Sequence, residues 1–221
     1  MFKSAGAVLA ALLCFASISF AQNYRFDASV NGAAVFTKQS EANGITQSGT
    51  VGTNFFGTFT YHLKPRHAFL FNYGRTKDSQ VFQTGDNFHV LTTITEYSGA
   101  YRYAAIRKSN FEVFGLAGGA ALRFYPRSTW VFFPPLPNNI PNNVMADVGA
   151  TTQTRVAFLY GLGVDYNIPT FPRLAVRLQY RGFLYKEPDF NVNSSTNGAL
   201  SFFTGTYGHM AEPSVGLVFR F

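Results

Sequence analysis

The chain is short of what usually holds a secreted domain together. It has one cysteine, Cys14, in 221 residues, which leaves no disulfide framework and no thiolate metal cluster. Charged residues make up 13%, well below the roughly 25% of ordinary globular proteins. Acidic residues are the scarcer sign, 11 against 18 Lys and Arg, for a net charge of +7. The basic residues form no cluster or helical stripe, so nucleic-acid binding has no support. Beyond the first 21 residues no apolar run approaches the ~20 residues of a membrane helix, and mean hydropathy is +0.02.

Residues 1–21 read as a secretory signal peptide. Lys3 supplies the positive end, Ala5 to Ile18 the apolar stretch, and Ser19-Phe20-Ala21 a small-x-small cleavage site before Gln22. Cys14 lies inside this segment behind Leu12 and Leu13 rather than a small residue, so lipid attachment there is not expected. Cleavage after Ala21 leaves residues 22–221 without cysteine, and loss of Lys3 takes the net charge from +7 to +6. That length suits one domain.

What the chain has in abundance is 25 Phe, 12 Tyr and 20 Gly, arranged with a period of two. Tyr24, Phe26, Ala28 and Val30 alternate with Arg25, Asp27, Ser29 and Asn31, the signature of a strand with two unlike faces. The pattern recurs eight times, at about 23–36, 53–63, 67–75, 90–105, 111–124, 152–167, 174–185 and 207–221. In the fifth segment, Phe114, Leu116, Ala120, Leu122 and Phe124 are assigned to the apolar face. Connections alternate long and short, with long loops at 37–52, 76–89, 125–148 and 186–206. Pro126, Pro134, Pro135, Pro137 and Pro141 exclude a central strand from the third, and Pro213 is tolerable only where a ladder bond is missing. The predicted fold is all-β, an eight-stranded antiparallel transmembrane up-and-down β-barrel over 22–221.

Which face meets lipid decides between this fold and a soluble barrel. An eight-stranded barrel is only just wide enough for side chains to fill it, and the Phe, Tyr, Leu and Val face is too bulky for that lumen. Placed outside, each large apolar side chain gains about 1.5–3 kcal/mol on burial, whereas Arg or Lys at mid-depth in lipid costs about 2–4 kcal/mol. The polar set is therefore predicted to meet inside as a compensated network: Arg25 with Asp27, Glu96 with Arg102, and Arg155 with Asp165, joined by Arg177, Arg181 and Arg220. Tyr24, Tyr61, Tyr103, Tyr166 and Phe221 at one end, and Phe36, Phe124 and Tyr185 at the other, are expected as interfacial girdles.

The chain ends Ser214-Val215-Gly216-Leu217-Val218-Phe219-Arg220-Phe221. Ser214, Gly216, Phe219 and Phe221 match the C-terminal assembly signal of bacterial outer-membrane barrels. The whole of 22–221 resembles the small outer-membrane β-barrel proteins, including the membrane domain of outer-membrane protein A. The resemblance implies a bacterial outer-membrane location with both termini periplasmic, and insertion by the barrel-assembly machinery. No peptidoglycan-binding domain follows the barrel, so cell-wall anchoring is not carried over.

Three functions remain open on the sequence. The first is a non-enzymatic structural or surface-interaction barrel, expected to be a monomer, whose external loops meet a partner or lipopolysaccharide. Trp130, Phe132 and Phe133 are its contact candidates, against the alternative that they only cover the barrel mouth. The second is a narrow small-solute channel. The third is a lipopolysaccharide-modifying enzyme, which needs a nucleophile, a base and an orienting group within reach of one another. His209 and Glu212 face opposite sides of a regular strand, and there is no His-x-Ser-Asn run like that of the lipid A deacylases. No cofactor or metal site is expected, since no His/Cys cluster has ligand spacing, and the external ligand is not specified.

Overall fold

A computed structural model describes residues 25–42, 44–83, 87–131, 150–190 and 204–221. Its strands are β1 (Phe26–Thr37), β2 (Ser40–Ala42), β3 (Ile45–Gly49), β4 (Gly52–Lys64), β5 (His67–Gln83), β6 (Asn87–Arg107), β7 (Phe111–Val131), β8 (Gln153–Asn167), β9 (Leu174–Lys186) and β10 (Tyr207–Arg220). Eight of them, β1 and β4 to β10, form a closed antiparallel ring, with β1 joined to β10 and β5 to β6. Closure reaches the last residue. The Phe221 amide donates to the Phe26 carbonyl at 3.0 Å, the Phe26 amide to the Phe221 carbonyl at 3.2 Å, and the two rings stack 6.2 Å apart.

The barrel is taller on its loop side than the hydropathy pattern implies. The expected loop 76–89 is mostly ladder, because β5 and β6 stay paired from Gly74↔Glu96 out to Gln83↔Asn87. Residues 76–89 carry no alternation of apolar and polar side chains of the kind that marks the rest of the wall, so the period of two does not report these strand ends. The loop expected at 37–52 contains the β2–β3 hairpin, which extends the sheet beside β5. β7 likewise runs to Val131, through Pro126. Leu91 pairs with Ser128 and Thr92 with Pro126, so Arg127 is an extra residue in a bulge, where proline's missing N–H does least damage. Pro134, Pro135, Pro137 and Pro141 lie outside the described residues, as do residues 1–24. At Pro213 the β1–β10 register passes from Ala33↔Ser214 to Phe36↔Ala211 without the two pairs between.

Alternation across the wall holds along the described side chains of every long strand, but β7 has its faces reversed relative to expectation. Phe114, Leu116, Ala120, Leu122 and Phe124 are all buried inside, while Gly115, Ala117, Gly119 and Arg123 face out. Register explains the reversal. Glu112 pairs across from Asp165, and Leu116 from Arg102, so the parity that brings Glu112 to the interior charges takes Phe114 to Phe124 with it. The lumen makes room through a glycine: Gly163 sits opposite Phe114, where a Cβ would lie 2.5 Å from the ring.

Candidate functional site

From the turn end upward, the lumen is built in layers. Near the short turns, Arg177 holds Asp165 through two bonds, Nε–Oδ1 at 2.7 Å and an Nη2–Oδ2 contact at 2.9 Å. Arg102 donates to Asp165 at 2.9 Å and to Glu112 at 2.6 Å. Asp27 meets His62 Nε2 at 2.7 Å. The Phe114 ring lies under the Arg102 guanidinium at 4.0 Å, a favourable cation–π placement once water is excluded.

A polar layer leads upward from this cluster. Thr58 donates to Asn72, Asn72 to Ser98, and Ser98 to Glu96, at 2.8, 2.8 and 2.6 Å. Glu96 takes two bonds from Arg181, at 2.8 and 2.9 Å. Arg181 also binds Glu212, whose other oxygen accepts from Asn54 at 2.9 Å. The Arg181 guanidinium lies 3.6 Å from the Phe56 ring centroid. Arg177 and Arg181 are both 0% exposed.

Above the upper ion pairs the interior turns apolar. Val35, Ile94, Leu122, Leu159, Phe183 and Met210 are buried there, and Phe124 packs against Tyr185 and Phe190 with centroids 5.5 and 6.4 Å away. Phe190 follows β9 with a φ of 53°, an unusual conformation for a bulky residue. Thr151 holds it in place, its amide and hydroxyl donating to the Phe190 carbonyl at 2.9 and 3.1 Å. Phe124 and Tyr185, expected in the outer girdle, are therefore part of an internal plug.

The structure places the predicted interior charges as follows. Asp27, Glu96, Arg102, Asp165, Arg177 and Arg181 are buried in the lumen. Arg25 is exposed. Pairing differs from the expected scheme, because neighbours in sequence on one strand are not the nearest charges across a narrow tube. Glu96 takes Arg181 rather than Arg102, and Asp165 takes Arg177 and Arg102 rather than Arg155. Arg155 instead binds Gln153 at 2.8 Å and lies 3.5 Å from Asp189. Glu112, Glu212 and His62 were absent from the predicted network. Extending the period of two from Ser214 reaches Glu212 on the inner face, whereas the same step from Phe114 puts Glu112 on the face assigned to lipid, a conflict that marks the β7 assignment as reversed.

Glu212 lies inside while His209 lies across the wall, its Nε2 2.7 Å from the Tyr160 hydroxyl. These two residues cannot share a reaction centre. Among the assembly-signal residues, Phe219 and Phe221 face out, and Ser214 donates to the Gln179 carbonyl at 3.1 Å. Gly216 backs onto β1, where a Cβ would lie 2.5 Å from the Val30 carbonyl oxygen and 2.7 Å from the Asn31 carboxamide carbon. The Trp130 side chain, Phe132 and Phe133 lie outside what is described.

The outer wall is the reverse of a soluble surface. Phe55 and Val156 are 72% and 82% exposed, and Phe71, Phe158, Leu162, Leu178, Val215 and Leu217 are exposed beside them. Charges sealed inside and a continuous apolar band outside fit hydrocarbon rather than water. No helix among the described residues is long and apolar enough to cross a membrane; the strands do so.

These features define an eight-stranded transmembrane β-barrel of the small outer-membrane type. Neisserial surface protein A superposes over 89% of this chain and 97% of its own length, at 15% identity and a TM-score of 0.50. The outer membrane protein OprG from Pseudomonas aeruginosa superposes over 90% and 97%, at 12% identity and a TM-score of 0.53. At these identities the likeness is one of fold. No protein-family model and no curated protein matches the sequence.

Proposed function

We propose that this protein is a non-conducting, non-enzymatic outer-membrane barrel that serves as a scaffold for contacts at the cell surface. The observation that carries the proposal is the filled lumen: two buried ion clusters and an aromatic plug occupy the path a solute would take. With the interior committed to packing, recognition falls to the loop end, the usual place for binding on a rigid scaffold. In this reading residues 1–21 direct export and are removed. The assembly machinery reads Ser214, Gly216, Phe219 and Phe221, and the short turns and both termini lie in the periplasm. Trp130, Phe132 and Phe133 remain the loop candidates for a protein partner or lipopolysaccharide.

Detergent-refolded protein tests both halves of the proposal. It should migrate faster unboiled than boiled and give no conductance steps above noise in a planar bilayer. Migration unaffected by boiling, with solubility in detergent-free buffer, would overturn the membrane assignment. Discrete steps would overturn the closed lumen in favour of a narrow channel.

A further inference from the structure

Among the described side chains, carboxylates are almost excluded from the outside of this barrel. Asp27, Glu96, Glu112, Asp165, Glu187 and Glu212 are buried, and among the described side chains Glu41 is the one exposed acid. Cations are distributed differently. Arg75 and Lys77 on β5 and Arg123 and Arg127 on β7 are all exposed on the outer wall, and none is ion-paired or hydrogen-bonded through its side chain to a described residue.

Register gathers them on three adjacent strands. Arg75 pairs with Thr95 and Thr95 with Arg123, forming one row; Lys77, Thr93 and Tyr125 form the next. With neighbouring strands about 4.8 Å apart, the arginine backbones stand ~10 Å from one another across the threonine. Thr93 is buried between its two neighbours, and its hydroxyl has no hydrogen-bond partner among the described residues.

Immediately toward the membrane lies a pair of exposed tyrosines, Tyr73 and Tyr97, with ring centroids 5.3 Å apart. Such rings mark the boundary between hydrocarbon and headgroups. From Arg123 the outer face of β7 continues through Ala121, Gly119, Ala117 and Gly115. This small-residue line is walled by Tyr97 and Tyr101 of β6 and by Val156 and Phe158 of β8. It opens into a depression bounded by Gly119, Val156, Phe158, Leu184 and Tyr207. The row of cations thus stands at the head of an apolar trough.

We propose that the outer face of β5–β7 is a seat for a phosphorylated, multiply acylated membrane lipid, its phosphate held by Arg75 and Arg123 over Thr95 and one acyl chain lying in the β7 trough. Guanidinium groups match phosphate oxygens in a fork geometry, and Lys77 and Arg127 add charge around them. A second copy of this chain is a poor occupant, because among the described side chains its outer wall offers these cations no exposed carboxylate except Glu41. The proposal rests on the membrane reading above and adds a defined lipid site to it.

Native mass spectrometry of detergent-folded protein tests it, with diphosphorylated lipid A, dephosphorylated lipid A and inorganic phosphate as probes. Wild type should retain lipid A, and the Arg75→Gln/Arg123→Gln double variant should bind it about tenfold more weakly, as expected for the loss of charge-assisted bonds. Lys64→Gln/Lys108→Gln, which removes the same charge at the turn end, should change binding less than about twofold on the same scale. Gly119→Leu, which fills the trough from an open position, should weaken lipid A binding and decides the matter if the arginine variant does not fold. Equal weakening by both double variants would reduce the site to diffuse charge, and retention of dephosphorylated lipid or free phosphate as strongly as lipid A would also overturn it. A wild-type protein with no heat-shifted gel band would defeat the membrane reading itself; a shifted band with unchanged lipid binding in the variants defeats only this site.

Discussion

Replacing Arg181 with methionine is the sharpest test of the buried charge network. Arg181 is 0% exposed and holds two carboxylates, Glu96 through bonds of 2.8 and 2.9 Å and Glu212 through a third. Methionine keeps much of the volume but removes the cation, leaving Glu96 and Glu212 unpaired in a closed space. Breaking a buried ion pair from one side costs about 3–5 kcal/mol, and two stranded carboxylates that repel each other place Arg181→Met at the upper end. The lost contact with the Phe56 ring, 3.6 Å away, adds to the cost. With a urea slope of about 1–3 kcal/mol/M, the unfolding midpoint should fall by on the order of 2 M.

The assay is urea unfolding in lipid vesicles, scored by the loss of the heat-modifiable gel band. The decisive comparison is the triple variant Arg181→Met/Glu96→Gln/Glu212→Gln. It removes all three charges and should recover much of the lost stability, because neutral replacement of a whole buried network is often close to neutral. An unchanged midpoint in the single variant would show that water reaches these groups. A triple variant as weak as the single would show that shape rather than charge holds this layer.

Other outcomes follow from the same geometry. Leu178→Arg, an outward substitution in the apolar band, should cost about 2–4 kcal/mol in vesicle unfolding; a cost near zero would place that face in water. Phe190→Ala should cost about 3–5 kcal/mol by removing a buried ring from the plug, and an unchanged midpoint would show that the plug contributes nothing. Gly182→Val should be strongly destabilising, since the Tyr160 ring lies across the bare backbone at Gly182, and Tyr160→Ala in the same chain should restore part of the loss. N-terminal sequencing of protein recovered from a bacterial host's outer membrane should begin at Gln22; an intact Met1 would remove the signal-peptide assignment.

The sequence by itself determined the strand number, the antiparallel order and the sidedness of most of the wall. Those properties follow from a period of two, which is local: Asp27, Ser29 and Asn31 share a face whatever the rest of the chain does. The heights of β5, β6 and β7 were not legible, because once a strand leaves hydrocarbon its outer face can be polar and the alternation disappears. The β7 face was misjudged for a related reason, since glycine and alanine outside with Phe and Leu inside looks locally like the reverse. Only closure of the barrel settled it, by fixing Glu112 opposite Asp165. The same closure chose Arg181 for Glu96, and Arg177 with Arg102 for Asp165. Charge partners in a narrow tube are selected by distance across the lumen, and that distance exists only after eight strands have met.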